Sequence, residues 1–300
     1  MNGSHRLVLV SAVLFGTTGT AQALGPDGTT PLTVGASRIA IGGAALVAVA
    51  LAAKTLKDGI RWAPATALAG ALGVVGYQLC FFAAVDATGV AVGTVVALGS
   101  GPAFAGLFGA ALRQERPSRR WAAATALAIA GATLLVLAGG DAANVAPAGV
   151  ALALGAGASY GLYTVTSKLL LEAGHSPEGV MAVAFGLGAA LLSPVLVVGD
   201  TAWLTTPGGA TLAIYLGLIP TALAYVLFAR GLQKLPASSV ATLTLAEPLT
   251  AATLGVVILG ERPGPVAGLG ALLVLSGLLV LSRRPERLRA ATAVAAGEAG

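Results

Sequence analysis

Long apolar runs recur along this chain, and each is closed by a short polar break. The pattern predicts helices at roughly 6–24, 32–53, 63–85, 88–112, 119–139, 147–171, 179–199, 208–231, 237–260 and 263–282. Each run is close to the ~20 residues that cross ~30 Å of hydrocarbon. The breaks hold turn formers: Gly25-Pro26-Asp27-Gly28, Lys57-Asp58-Gly59, Arg116-Pro117-Ser118, Gly139-Gly140-Asp141 and Gly174-His175-Ser176-Pro177. The third and fourth runs nearly touch, as do the ninth and tenth, so their turns are tight. A membrane barrel would need ~10-residue alternating strands, and these runs are continuous.

Composition sharpens that reading. Hydrophobic types are 56 % of the 300 residues and charged types 10 %, against about a quarter charged in a soluble domain. Too few charges exist to cover a surface in water, and mean hydropathy is +0.89. Most of the surface therefore faces lipid. The 42 glycines fit a bundle whose helices approach closely. One cysteine, Cys80, and two histidines, His5 and His175, supply neither a disulfide framework nor a Cys/His metal set, so no metal or cofactor is expected.

The first run has the outline of a secretory leader: His5-Arg6, an apolar stretch from Leu7 to Phe15, then Ala21-Gln22-Ala23. A matching segment in the second half cannot be a leader, so the first run is read as a membrane helix.

Charge sets the orientation. With the N-terminus inside, fifteen of the 17 Lys and Arg fall on the cytoplasmic side, Arg262 falls outside, and Arg38 lies within a helix. Asp27, Asp86, Asp141 and Asp200 fall outside. This is the positive-inside bias. It predicts a multi-pass protein of the cytoplasmic membrane with both termini inside and a disordered cytoplasmic tail over 285–300. The pI near 9.7 then reports topology and not nucleic-acid binding.

The chain also repeats itself. Glu115-Arg116-Pro117 returns as Glu261-Arg262-Pro263, 146 positions on, and in that register Pro102 meets Pro248, Gly109 meets Gly255 and Gly131 meets Gly277. At offset 145, Phe15-Gly16 meets Tyr160-Gly161, and Gly43-Ala44-Ala45-Leu46 meets Gly188-Ala189-Ala190-Leu191. Five helices per half is an odd number, so the second copy enters the membrane upside down. The expected architecture is an all-α membrane protein of ten transmembrane helices, arranged as two inverted five-helix repeats, 1–140 and 146–284, around a central cavity. Inverted repeats mark secondary transporters, whose site lies between the repeats near the midplane.

On these features the chain resembles the EamA-type carriers of the drug/metabolite transporter superfamily. The resemblance spans about 6–283. It rests on the ten-helix plan, Phe15-Gly16 and Tyr160-Gly161, Arg38, Glu247-Pro248 and the two Glu-Arg-Pro turns. It implies a central cavity between four-helix walls, with the fifth and tenth helices to the side, often forming homodimers. It also implies export of amino acids, related metabolites or drugs. The family commonly has Glu-Pro in the first half too, where this chain reads Gly101-Pro102, so one of two pseudo-symmetric carboxylates is missing.

Two charges stand inside the spans. Arg38 lies about six residues into its helix, ~9 Å deep at 1.5 Å per residue. An unpaired charge there costs at least ~2.5 kcal/mol. It is either an anchor for a substrate carboxylate or a gate, or else a snorkelling or structurally paired arginine. Glu247 is the carboxylate deepest within a span, and Pro248 after it frees a backbone carbonyl. It is a candidate proton carrier, or a structural partner of Arg38. Gln78 cannot leave its amide unpaired in lipid without cost, so it faces inward. With Tyr77, Tyr160, Tyr163, Tyr225, Thr17, Thr20 and Ser100 it completes the candidate cavity. Thr17, Thr18 and Thr20 beside Gly16 and Gly19 make the first helix look suited to a break.

An enzyme is the rival class. Gly99-Ser100-Gly101 faintly suggests an intramembrane serine nucleophile, yet both histidines lie outside the spans, so no dyad forms. A receptor or structural subunit is the other alternative, and the two-half symmetry argues against it. The expectation is a secondary transporter in the lipid bilayer, an exporter of small metabolites, with Glu247 as the candidate for proton coupling.

Overall fold

The computed structural model describes residues 3–56, 59–112, 117–138, 146–260 and 264–282. Among these every regular element is helical: α1 Gly3–Ala23, α2 Pro31–Ala52, α3 Pro64–Ala111, α4 Arg119–Ala138, α5 Pro147–Glu172, α6 Pro177–Val198, α7 Pro207–Gly217, α8 Ala224–Leu232, α9 Ala237–Leu243, α10 Ala246–Leu259 and α11 Pro265–Ser282. Proline opens α2, α3, α5, α6 and α7, where its missing N–H would be unpaired in any case. The hydroxyls of Thr30, Ser176 and Thr206 cap the first turns of α2, α6 and α7.

Seven helical stretches are long and apolar enough to cross a membrane: Pro31–Ala52, Pro64–Thr88, Val92–Ala111, Pro147–Glu172, Pro177–Val198, Pro207–Leu232 and Ala237–Leu259. The protein is thus a multi-pass membrane protein. α1, α4 and α11 lie outside that set. The Glu115-Arg116 and Glu261-Arg262-Pro263 motifs, the Gly139-Gly140-Asp141 turn and the 285–300 tail lie outside the described residues.

The sequence placed separate helices at 63–85 and 88–112, and the structure carries one helical trace, α3, through both. It does not run straight. A methyl group placed on Gly93 would stand 3.1 Å from Val85 Cα, whereas residues eight apart in a straight helix are ~12 Å apart. The trace therefore folds back, giving two arms, Pro64–Thr88 and Val92–Ala111. Both pack on α5. Along the first arm Thr88 meets Gly149 and Gly76 meets Ser159, an antiparallel course; along the second Ala97 meets Gly157 and Ala105 meets Gly161, a parallel one.

Two helices depart from the expected plan. The first is unbroken: Thr17 Oγ1 donates to Leu14 O within the turn, and Gly16 serves close packing instead of a kink. The ninth is broken before Glu247. Pro248 has no N–H for Thr244 O, four residues back, so that carbonyl accepts from Glu247 N at 2.9 Å. Thr244 and Leu245 form the gap between α9 and α10. A third irregularity had no sequence expectation. Leu218–Leu223 is a π-helical turn joining α7 to α8. Pro220 leaves Leu216 O without its usual donor, and Thr221 Oγ1 supplies one at 2.8 Å.

Packing joins the two halves of the chain. α1 lies against α8 and α10, α2 against α6 and α7, α3 against α5, and α4 against α11. The α4–α11 contact is reciprocal. Gly131 sits on Gly270 O and Val274 N, where a methyl would come within 2.5 Å; 146 positions on, Gly277 sits on Ala124 O and Ala128 N, at 2.6 and 2.9 Å. Two basic side chains donate to backbone carbonyls of other helices. Lys168, 8 % exposed, donates to Leu232 O at 3.0 Å and Gln233 O at 3.2 Å, and Arg120 Nε donates to Val280 O at 2.8 Å.

Replacing Gly277 by Val is expected to separate α4 from α11 and destabilise the protein by about 1–3 kcal/mol or more, the range for overpacking. Gly268, with nothing within 4 Å of the added methyl, is the control. Thermal unfolding in detergent checks this, with Gly277→Val lowering the midpoint and Gly268→Val leaving it near wild type.

Candidate functional site

Where the halves meet, eight side chains surround one internal gap. Ile39 comes from α2; Val74, Tyr77 and Gln78 from the first arm of α3; Tyr160 and Tyr163 from α5; Phe185 from α6; Tyr225 from α8. Each half contributes four. The space that the centre of a water molecule can reach is about 10 Å³, room for about one water. Four of the five tyrosines in the chain thus stand at one spot, and their rings brace one another. Centroids are 6.3 Å apart for Tyr77 and Tyr160, 5.4 Å for Tyr160 and Tyr163, 6.0 Å for Tyr163 and Tyr225, and 4.2 Å for Phe185 and Tyr225. Phe15 backs Tyr225 at 4.8 Å.

Glycine lets the helices come close enough to build this wall. A methyl on Gly16 would stand 2.7 Å from Glu247 O, and one on Gly161 would stand 2.9 Å from Ala105 N. These positions hold α1 against α10 and α5 against the second arm of α3. Gly101 leaves space that the Tyr160 ring takes up, with Cδ1 3.1 Å from where a Cβ would be. The position that would carry a second carboxylate is therefore covered by an aromatic ring.

Arg38 and Glu247 lie beside the gap and are not part of its wall. Arg38 acts electrostatically on Glu247, Tyr77 and Tyr225, and Glu247 on Tyr77, Tyr160 and Tyr225. Among the described residues no ion pair joins the two. Arg38 Nε is buried without a hydrogen-bond partner, as are Gln78 Oε1, Tyr163 Oη and Ser167 Oγ. Buried polar groups are nearly always paired, and two of these, on Gln78 and Tyr163, belong to residues that line one small space.

Two of the other candidates have structural partners. Thr17 accepts from Tyr215 Oη at 2.9 Å. Thr20 is buried on α1 away from the gap lining. Ser100 donates to Ala97 O at 3.3 Å and packs on Gly157. None of the three lines the gap. Sequence reasoning missed Ile39, Val74 and Phe185, which look like any apolar residue in a span, and Thr244. Thr244 lies in the α9–α10 break, and its hydroxyl is 2.9 Å from Tyr160 Oη. The signal for it was Pro248, four residues on.

Comparison with known proteins agrees with this architecture. The chain matches the EamA-like transporter family over residues 4–137 and 147–283. It belongs to that family. The members are transporters and not enzymes, and a transporter implies a small-molecule substrate. The transporter YwfM of Bacillus subtilis (strain 168) is 45 % identical over 95 % of this chain and 96 % of its own. A "Probable terminal-alkyne amino-acid exporter" of Streptantibioticus cattleyicolor is 32 % identical over 92 % of each. The threonine/homoserine exporter RhtA of Escherichia coli (strain K12) is 34 % identical over 53 % of this chain and 54 % of its own. A protein of known crystal structure, 22 % identical, shares the fold with a TM-score of 0.79 over 94 % of this chain and 98 % of that one.

Thr244→Val removes the hydroxyl that holds Tyr160. The loss of one partly buried hydrogen bond is expected to cost about 0.5–1.5 kcal/mol, read as a lower unfolding midpoint. Tyr160→Phe removes that bond alone, whereas Thr244→Val also removes the donation to Ala241 O, so Tyr160→Phe is expected to cost less and the double variant about as much as Thr244→Val.

Proposed function

We propose that this protein is a secondary active exporter of small amphipathic metabolites, amino acids among them, working by alternating access. The observation that carries the reading is the gap itself: four residues from each half line it, and two of them, Gln78 and Tyr163, carry unpaired polar atoms. A static subunit has no need of such a place, whereas a carrier must present a polar site that either side of the membrane reaches in turn. The relatives named as amino-acid exporters support the substrate class.

The moving parts in this reading are two inverted five-helix halves, 1–140 and 146–284, in a ten-span plan that counts α1, α4 and α11 as spans and folds α3 into two. The exchanged contacts of Gly131 and Gly277 and the pairing of α1 with α8 and α10, mirrored by α5 with the arms of α3, support it. The distribution of basic residues supports both termini in the cytoplasm. α4 and α11 pair at the side, and the exposed Leu269, Leu272 and Leu279 of α11 face lipid or a second copy of the chain. Glu247 is the proton carrier. Among the described residues it is the one carboxylate that acts electrostatically on the tyrosine wall, and it sits next to the break in the ninth span, where a change of charge would move the backbone most easily. Arg38, on the opposite helix, anchors the substrate carboxylate.

Purified protein in liposomes tests this with a broad panel of labelled amino acids and related amines. Saturable flux that an imposed pH gradient accelerates is expected. Glu247→Gln is expected to keep exchange and lose about tenfold or more of the pH-driven rate. No flux across the panel sinks the transport reading. A Glu247→Gln protein that responds to the gradient like wild type removes the proton role alone.

A further inference from the structure

In a membrane protein the ordinary place for tryptophan is the interface, with the ring among the headgroups and the N–H in water. Trp203 does not take that place. It lies on the short 3-10 turn Ala202–Thr205 between α6 and α7 and is 4 % exposed. Its indole N–H donates into the protein, to Thr33 Oγ1 of α2 at 3.1 Å. Trp62, on the segment between α2 and α3, stacks on His175, between α5 and α6, with centroids 3.8 Å and planes 19° apart. His175 is fully buried. Each tryptophan thus belongs to one half of the chain and seats on the other.

The two seats are related by the repeat. Thr30-Pro31 and Ser176-Pro177 stand 146 positions apart. Each hydroxyl caps its helix by accepting from a backbone N–H three residues on, Thr33 N in α2 and Gly179 N in α6. Thr33 and Gly179 are therefore matching residues, and each touches the far end of the other helix. A methyl on Gly199, just past α6, would stand 2.7 Å from Thr33 Cγ2, and one on Gly179 would stand 3.0 Å from Thr55 O, just past α2. So α2 and α6 run antiparallel, and the two seats lie at opposite ends of the pair, about 30 Å apart at 1.5 Å per residue. Between those ends, Ile39 of α2 and Phe185 of α6 line the gap.

We propose that Trp62 and Trp203 are the two gates of the gap: each closes one end of the bundle by seating on the other half, and access from a given side requires that side's tryptophan to leave its seat. This rests on the transport reading and deepens it.

Both seats are filled in this structure, and the gap has room for about one water. A metabolite enters only when one end opens. Rocking of two inverted halves about the gap opens one end while it closes the other, and the seats are placed to sense that motion because each joins the two halves. A stack holds one seat and a hydrogen bond the other, and either interaction shifts an equilibrium by about tenfold at most. A gate of that strength yields without unfolding its helix. The Trp62 end carries Lys54 and Arg61 and is the cytoplasmic one by charge, and the Trp203 end carries Asp27 and Asp200.

Val74, in the gap wall, replaced by Cys in a Cys80→Ser background, reports access in membrane vesicles of either orientation treated with a membrane-impermeant maleimide. Trp62→Ala is expected to speed labelling about tenfold or more from the cytoplasmic face and to leave the outer face unchanged, and Trp203→Ala the reverse. Trp62→Leu and Thr33→Val keep more of the packing. They are expected to give smaller rises from the same two faces, and they decide the matter where an alanine variant does not fold. Variants at both seats acting on the same face, or folded variants labelled like the parent from both faces, overturn the inference. With flux in liposomes intact, that result defeats the gates alone, and absence of flux for every compound of the panel defeats the transport reading beneath them.

Discussion

In hydrocarbon, apolar side chains gain nothing from leaving the solvent, so helices hold together where their backbones come close. In this chain many of the close approaches run between the first half and the second. Gly16 lies on the Glu247 carbonyl, Gly161 on Ala105, Gly131 on Gly270 and Gly277 on Ala124. Everything else in the architecture follows from that constraint. Because each half depends on the other for its packing, the space between them is the natural place for a site. Because the contacts are made by backbone and small side chains, the large aromatic residues are left to surround what remains.

The second constraint is that every backbone polar group needs a partner inside the membrane. Prolines break that rule locally, and the chain repairs each break differently. At Pro220 a neighbouring threonine hydroxyl replaces the missing donor and the helix runs on through a π turn. At Pro248 the helix yields, and Thr244 and Leu245 separate α9 from α10. That interruption puts Thr244 where it can orient Tyr160 and puts Glu247 at the first turn of α10. The chemistry of the site is thus coupled to a defect in the helix that bears it.

Much of this was legible in the sequence. Apolar run length predicted the helices to within a few residues, since a bilayer sets their length and little else competes. Close backbone approach demands glycine, so the register that pairs Gly131 with Gly277 was visible as a repeat. Intramembrane charge drew attention to Arg38 and Glu247, because a charge in hydrocarbon needs a reason. Side-chain direction was not legible. Nothing in the sequence separates Tyr160, which lines the gap, from Thr17, whose hydroxyl meets Tyr215, since both are polar groups in an apolar span. Phe185 carried no signal at all. The break in the first helix was wrongly expected because glycine serves close packing as well as flexibility, and here Gly16 packs.

The central claim is that the two halves lie upside down relative to each other. Asp27 and Ala173 stand at exposed turns, 146 positions apart, at matching places in the two halves. Single cysteines at these positions, in a Cys80→Ser background, can be probed in intact cells with a membrane-impermeant maleimide. The account predicts rapid labelling of Asp27→Cys from outside, and of Ala173→Cys only after the cells are opened. Labelling of both positions from the same side would contradict it.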